Sequence, residues 1–440
     1  MTDEPTLPGR RLPRSVRHFL HTEAAGGVVL LVAAVAALVW ANSPWQDSYA
    51  TVWGTELTVG LGRWAITEDL RHWVNDALMA VFFFVVGLEI KRELVKGDLR
   101  DPRVAAVPVL AALGGMVVPA LLYVLINVGQ TGGRGWGIPM ATDIAFAIGV
   151  VALLGPRVPG ALKLFLLTLA IVDDIGAILV IAVFYADDIE VTRLGVALVL
   201  VAAVVALRRA GVVWLPVYVL LGTGVWLATY ASGVHATIAG VVLGLLAPGQ
   251  PLAAATVARE WAVQLDDEPA PGDMATMATF AKASVSVAER LQYELHSWTS
   301  FAVIPLFALA NAGVTLRADA LEGPGALPVT VGVIVGLVVG KTAGITAATW
   351  LAVRTGAGRL PEGATWKNVV GIASVAGIGF TVSLFVAGLA FDPGSPNEDA
   401  AKIGILVASV LAAVVGSVTL LRSDARPGDE SPPVASSAPA

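Results

Sequence analysis

The chain has 440 residues, 56% of them hydrophobic and only 14% charged, with a formal net charge of -6. A soluble domain carries about a quarter charged residues, and a chain this apolar has too little polar surface to cover a soluble core, so a membrane protein is expected. The absence of cysteine excludes disulfides, thiolate metal sites and cysteine nucleophiles, and no basic patch with interleaved aromatics points to nucleic acid.

Residues 1–22 are polar and basic, with Arg10, Arg11, Arg14 and Arg17, and read as a cytoplasmic segment. The apolar run from Ala24 to Asn42 lacks a small-residue cleavage site and is expected to stay as a first span. Runs long enough to cross a bilayer, about 20 residues each, follow near 73–91, 104–127, 136–154, 161–185, 192–207, 212–230, 233–248, 298–316, 329–352, 368–391 and 402–421. The predicted fold is thus an all-α polytopic membrane protein with twelve spans in a transporter domain over 23–422. Ser232-Gly233 is taken as the break in the charge-free stretch from Ala210 to Ala258.

Three segments are not expected to span. In 54–68, Leu57, Val59 and Leu61 alternate around Gly60 and Gly62, which predicts a short external β-hairpin. Residues 249–297 form a long cytoplasmic loop, with an amphipathic helix over 280–296 lying on the membrane. Residues 423–440, rich in Pro, Ser and Ala, read as a disordered cytoplasmic tail. With the N-terminus inside and twelve spans, the cytoplasmic segments hold 21 Lys and Arg against 6 outside. That excess supports an inner-membrane protein with both termini in the cytoplasm.

An ionisable side chain at mid-bilayer costs on the order of 2.5–3.5 kcal/mol on insertion scales and is a functional candidate by default. Asp173 and Asp174 lie at the centre of 161–185, Lys341 at the centre of 329–352, and Asp143 two residues from the centre of 136–154. A lone buried Asp or Lys can simply bond a neighbouring helix. Two adjacent carboxylates are harder to explain structurally, because they repel when both are ionised. Such a pair suits a site that must choose between a proton and a small cation.

Backbone breakers lie at the same depth. Pro139 precedes Ala141-Thr142-Asp143, and Gly377 and Gly379 interrupt 368–391. Unwound backbone is tolerated there only inside protein or against a cavity. Half-helix ends carry about half a charge, positive at the N-terminus and negative at the C-terminus; Asp143 and Lys341 are candidates for the two roles. The broken spans are the fourth and eleventh, an odd offset. Spans 3–5 are therefore expected to recur upside down as spans 10–12, with the two unwound helices crossing.

The motifs NDALMAVFFFVVGLEIKREL (75–94), ATDIAFAIGVVALLG (141–155), LAIVDDIGAI (169–178), SGVHATIAGVVLG (232–244), PLFALANAGV (305–314), GKTAGI (340–345) and GIGFTVSLFVAGLAF (377–391) resemble the NhaA family of bacterial sodium/proton antiporters. The likeness runs from about residue 18 to 421. Inverted repeats with a midplane site are the known plan of several transporters, this family among them. The resemblance implies Asp173 and Asp174 as the Na+-binding carboxylates, Asp174 the more directly, and Asp173 in an ion pair with Lys341. It implies Asp143 and Thr142 at the unwound part of the fourth span, Li+ as an alternative substrate, two protons inward per sodium outward, and a homodimer held by the external hairpin. The pH-regulation candidates are Glu89, Glu93 and His296. Here the stretch before the ninth span reads Gln292-Tyr293-Glu294-Leu295-His296, where members known for alkaline activation carry Glu-His-x-x-His, so only His296 matches.

His235 is expected to pack or hydrogen-bond, His18 and His21 to lie at the membrane surface, and Asp76 to be structural or to line an access funnel. Asp187, Asp188 and Glu190 read as a solvated external loop. No cofactor is expected, since Na+, Li+ and protons are cargo. The rival transporter reading is a sodium-coupled solute symporter, which needs an organic-substrate cavity; few polar side chains lie at mid-depth to build one. An intramembrane aspartyl protease needs aspartates converging from two helices. Asp173 and Asp174 are adjacent and Asp143 lacks the Gly-x-Gly-Asp context, so the chain is not expected to be an enzyme.

Overall fold

The computed structural model describes residues 14–61, 64–186, 189–212, 214–251, 271–316 and 322–423. Arg10 and Arg11, Asp187 and Asp188, residues 252–270 of the proposed loop 249–297 and the tail beyond 423 lie outside the described residues, as do the side chains of His18 and His21. Helix α1 (Arg14–Ala41) turns sharply, by 116°, into α2 (Gln46–Trp53). Strands β1 (Glu56–Leu61) and β2 (Trp64–Asp69) then pair antiparallel, with Val59 opposite Ile66, as the alternation at 54–68 predicts. Asp69 caps the next helix through its carboxylate and the His72 N–H.

Helix α3 (Leu70–Lys96) contains a π-helical turn at Val74–Leu78. Helix α4 (Pro102–Ile126) starts with Asp101 as cap and Pro102 at its first position, where a missing N–H costs nothing. Next come α5 (Thr131–Met140), wound as a 3-10 helix, α6 (Ile144–Leu153), α7 (Gly160–Phe184), α8 (Val191–Arg209), α9 (Leu215–Tyr230) and α10 (Thr237–Leu246). Helix α11 (Pro271–Ala283) precedes α12 (Val287–Trp298), which runs through a π-helical turn at Thr299–Val303 into α13 (Ile304–Asn311). The amphipathic helix expected over 280–296 is thus split, because Ser286 and Glu289 form a capping box that starts α12 afresh. Helix α14 (Ala326–Arg354) contains a third π turn at Val335–Gly340, and α15 (Trp366–Val375), α16 (Phe380–Ala390) and α17 (Pro396–Arg422) follow.

Among the described residues six helices are long and apolar enough to cross a membrane, or up to nine if each bent pair is one span. The chain is a mostly helical, multi-pass membrane protein, and its described residues include one two-stranded sheet. Helix α17 begins six residues before the predicted 402 because Glu398 and Lys402 pair at 2.7 Å and are buried within its first turns.

Helix α7 is the most enclosed of the long helices, with 72% of its apolar window buried against 11% for α8. It packs chiefly against α4 and α6, and Leu162, Leu166 and Leu169 are fully buried members of the main apolar core. Backbones pass closely where α4 meets α14. A Cβ on Gly114 would collide with the Gly344 carbonyl, and one on Gly344 with the Gly114 carbonyl, the small-residue contact common in membrane helix pairs.

Candidate functional site

The break between α5 and α6 bends the pair by 49°, and that between α15 and α16 by 48°. In the first, Ala141-Thr142-Asp143 is extended, and Asp143 caps α6 by accepting from the Phe146 N–H at 3.0 Å. In the second, neither Gly377 nor Gly379 adopts a positive φ. These glycines serve close approach instead: a Cβ on Gly377 would meet the Leu337 carbonyl, and one on Gly379 the Ser383 hydroxyl.

The two breaks meet. The Asp143 N–H donates to the Ile378 carbonyl at 2.7 Å and the Thr142 hydroxyl to the Ala376 carbonyl at 2.8 Å. The Ser383 hydroxyl donates to the Ile138 carbonyl at 2.7 Å. The second carboxylate oxygen of Asp143 accepts from both the N–H and the hydroxyl of Thr381, at 3.0 and 2.6 Å. One carboxylate thus sits on the N-terminal ends of α6 and α16 together, where the helix dipoles favour negative charge. Thr381 and Ser383 are additions that charge patterning did not single out; their signal is a hydroxyl one turn past a mid-span glycine.

Helix α7 carries Asp173 and Asp174 into this crossing, 0% and 4% exposed. Asp173 Oδ2 pairs with the Lys341 ammonium, itself 0% exposed, and accepts from the Thr142 hydroxyl at 2.7 Å. Lys341 Nζ also donates to Thr142 Oγ1 at 2.9 Å. Three elements, α7, α14 and the α5–α6 break, therefore close a triangle of Asp173, Lys341 and Thr142. The single Thr142 proton is shared between Asp173 and the Ala376 carbonyl. Lys341 reaches the carbonyl end of α15 only through that hydroxyl, not directly as a half-helix counter-charge.

Asp174 lies within electrostatic reach of Asp173, Asp143, Glu89 and Lys341. Among the described residues, Oδ1 of Asp174 and Oδ1 of Asp173 are buried with no hydrogen-bond partner. Unpartnered buried carboxylate oxygens are costly, and oxygen ligands suit a small hard cation. Among the described residues no three His, Asp or Glu side chains converge as in a transition-metal site.

The pH-regulation candidates are only partly together. Glu89, 8% exposed, accepts from Gln292 Nε2 at 3.1 Å, and His296 Nδ1 lies 3.9 Å from the same oxygen. Glu93 turns instead to Arg92 at 3.2 Å and to the Asp98 N–H at 3.3 Å. Lys96 pairs with Glu289 of α12 at 2.8 Å. Partial burial alone would raise the Glu289 pKa, but Lys96 and Ser286 together hold it below its ordinary value. Asp76 lines a small hollow with Glu68, His72, Trp73, Trp226 and Tyr230, and a ring nitrogen of His235 lies 2.5 Å from the Tyr185 carbonyl oxygen.

Comparison with known proteins gives one consistent picture. A family model described as Na+/H+ antiporter 1 matches residues 17–420. The Na(+)/H(+) antiporter NhaA 3 of Frankia alni is 49% identical over 417 residues, covering 93% of this chain and 89% of that protein. The NhaA of Rhodopirellula baltica is 45% identical over 427 residues, covering 95% and 96% respectively. NhaA 2 of Sorangium cellulosum is 45% identical over 425 residues, covering 93% and 91%.

Proposed function

The chain belongs to the NhaA family of Na+/H+ antiporters, and from that membership we propose that its aspartate pair is the point where sodium and protons compete. The observation that carries this reading is the state of Asp173 and Asp174: both buried, each with an unpartnered oxygen, and one of them held by Lys341. Its relatives are antiporters rather than enzymes. The transported ions are Na+ and H+, with Li+ as a further cargo, and no cofactor is needed.

With no cation bound, the Lys341 ammonium and the Thr142 hydroxyl balance Asp173. A sodium ion arriving at Asp174 takes its oxygens and competes with Lys341 for Asp173, so the site releases protons as it fills. Protons returning from the other side discharge the ion. Exchange follows if the loaded site faces the two sides in turn. With two protons moved per sodium, one net charge crosses, and each 100 mV supplies about 2.3 kcal/mol.

Twelve spans serve this cycle: α1, α3, α4, the α5–α6 pair, α7, α8, α9, α10, α13 with the π turn before it, α14, the α15–α16 pair and α17. Spans 3–5 and 10–12 form the inverted repeat. Both termini face the cytoplasm of a bacterial cell, as the 21 to 6 distribution of Lys and Arg favours. The β1–β2 hairpin faces outward and joins two copies.

The test is transport in inverted membrane vesicles with a pH-sensitive dye, wild type beside Asp174→Asn. Sodium should collapse the pH gradient with wild type and fail to do so with the variant. A sodium response that survives the substitution would remove Asp174 from the site.

A further inference from the structure

Helical threonines in this protein usually donate to the carbonyl four residues back. Thr168 does so to Leu164, Thr223 to Val219, Thr229 to Val225, Thr342 to Val338 and Thr419 to Val415, at 2.7–3.0 Å. Thr346 and Thr349 of α14 depart from this habit. Their hydroxyls are buried, and among the described residues neither has a hydrogen-bond partner, although Thr349 is 0% exposed. Each hydroxyl has turned from the bond its own helix offers, and a dry apolar setting gives nothing in return.

At about 100° per residue, Thr342, Thr346 and Thr349 share one stripe of α14. The stripe lies beside the face that packs on α4, where Gly344, Ile345 and Ala348 meet Gly114 and Gly115, and away from the exposed Ala343, Ala347 and Leu351. The Thr342 hydroxyl lies 3.3 Å from the Ser374 hydroxyl of α15, which identifies the neighbour the stripe faces. Lys341 stands at its inner end. At 1.5 Å per residue, Thr349 lies about 12 Å further along the axis, toward Arg354.

Water answers this arrangement: a buried water makes about three hydrogen bonds to groups otherwise left unsatisfied. We propose that the α14–α15 seam holds a file of ordered waters on Thr342, Ser374, Thr346 and Thr349, and that this file is a proton route to the Lys341–Asp173 pair, separate from the approach of the cation to Asp174. The proposal rests on the exchange reading above, which places the Arg354 end at the cytoplasm. When a cation displaces a proton from the pair, the proton passes to the innermost water, each water hands one on to the next, and one proton leaves at the cytoplasmic end. The proton is replaced from the external side when the cation leaves there. The hydroxyls act as positioning residues for the water.

Because the chain has no cysteine, single variants carry a single thiol. Full-length T346C, T349C, A347C and T355C in inverted vesicles are treated with 2-aminoethyl methanethiosulfonate, which reacts with hydrated, ionisable thiols. T346C and T349C should be modified, like T355C at the exposed end of α14, whereas lipid-facing A347C should not. An unreactive T349C beside a reactive T355C overturns the water file. In transport, T349V should slow exchange by about fivefold, the worth of one net hydrogen bond, with the sodium half-saturation unchanged, and T349S should restore the rate. An undiminished rate in T349V overturns the proton-route role. Failure of wild type to exchange sodium would instead sink the exchange reading, and leaves the labelling result to decide hydration.

Discussion

Asp143 shows how much one carboxylate can hold at this depth. Its two oxygens serve the Phe146 N–H on one side and both donors of Thr381 on the other. Removing the Thr381 hydroxyl without changing its shape leaves a buried charge short of one donor, a loss of about 1–3 kcal/mol. Thr381→Val is therefore expected to lower the unfolding free energy of the detergent-purified protein by that amount, read as a lower thermal midpoint, and an unchanged midpoint would show the bond to be idle. At this scale the sequence singled out Asp173, Asp174, Asp143 and Lys341 because charge inside an apolar span is rare, and Thr142 only through the family resemblance. It was not readable for Thr381 and Ser383, since hydroxyl residues are ordinary in membrane helices. Nor was it readable for the Ala376, Ile378 and Ile138 carbonyls, since every residue has one.

Among elements, both breaks were visible beforehand, through Pro139 and through Gly377 with Gly379. The reason for the glycines was not, because it lies in the Leu337 carbonyl of a distant helix. The π turns in α3, α14 and the α12–α13 run left no mark in the pattern of apolar residues. The early start of α17 was hidden for a different reason: Glu398 and Lys402 look like loop charges until their pairing is seen. Helix α12 is tied to the end of α3 by Lys96–Glu289 and Gln292–Glu89. Glu289 is held below its ordinary value of 4.5. Its contribution to docking is thus fully present above that value and is lost as pH falls through the lower, folded value. Hydrogen exchange of α12 should accelerate on that acid limb in wild type, whereas Glu289→Gln should show no such limb. Identical acid profiles would mean the pair holds nothing.

For the whole molecule, the hairpin is where the proposed contact between two copies can be tested. Leu57 and Val59 on β1 are 44% and 53% exposed, and an open strand edge with apolar side chains invites a partner strand. In the cysteine-free background, Val59→Cys should give a band of twice the chain mass on mild oxidation in membranes. A variant that exchanges sodium normally and stays monomeric throughout would dismiss the hairpin as the dimer contact. That the chain crosses the membrane several times as helices was legible because apolar length is a statistical signal that survives without coordinates. Which helices enclose α7 was not, because that depends on pairings such as Gly114 with Gly344 that neither run of sequence announces alone.

The stitched crossing of the two breaks carries a consequence for motion. Five hydrogen bonds, two of them to a carboxylate, bind the interrupted chains to each other far from bulk solvent. A knot tied that firmly makes a poor hinge and a good fulcrum. On the exchange reading proposed above, the surrounding helices would rock about the knot to change which shore the site faces, and the ion itself would travel hardly at all.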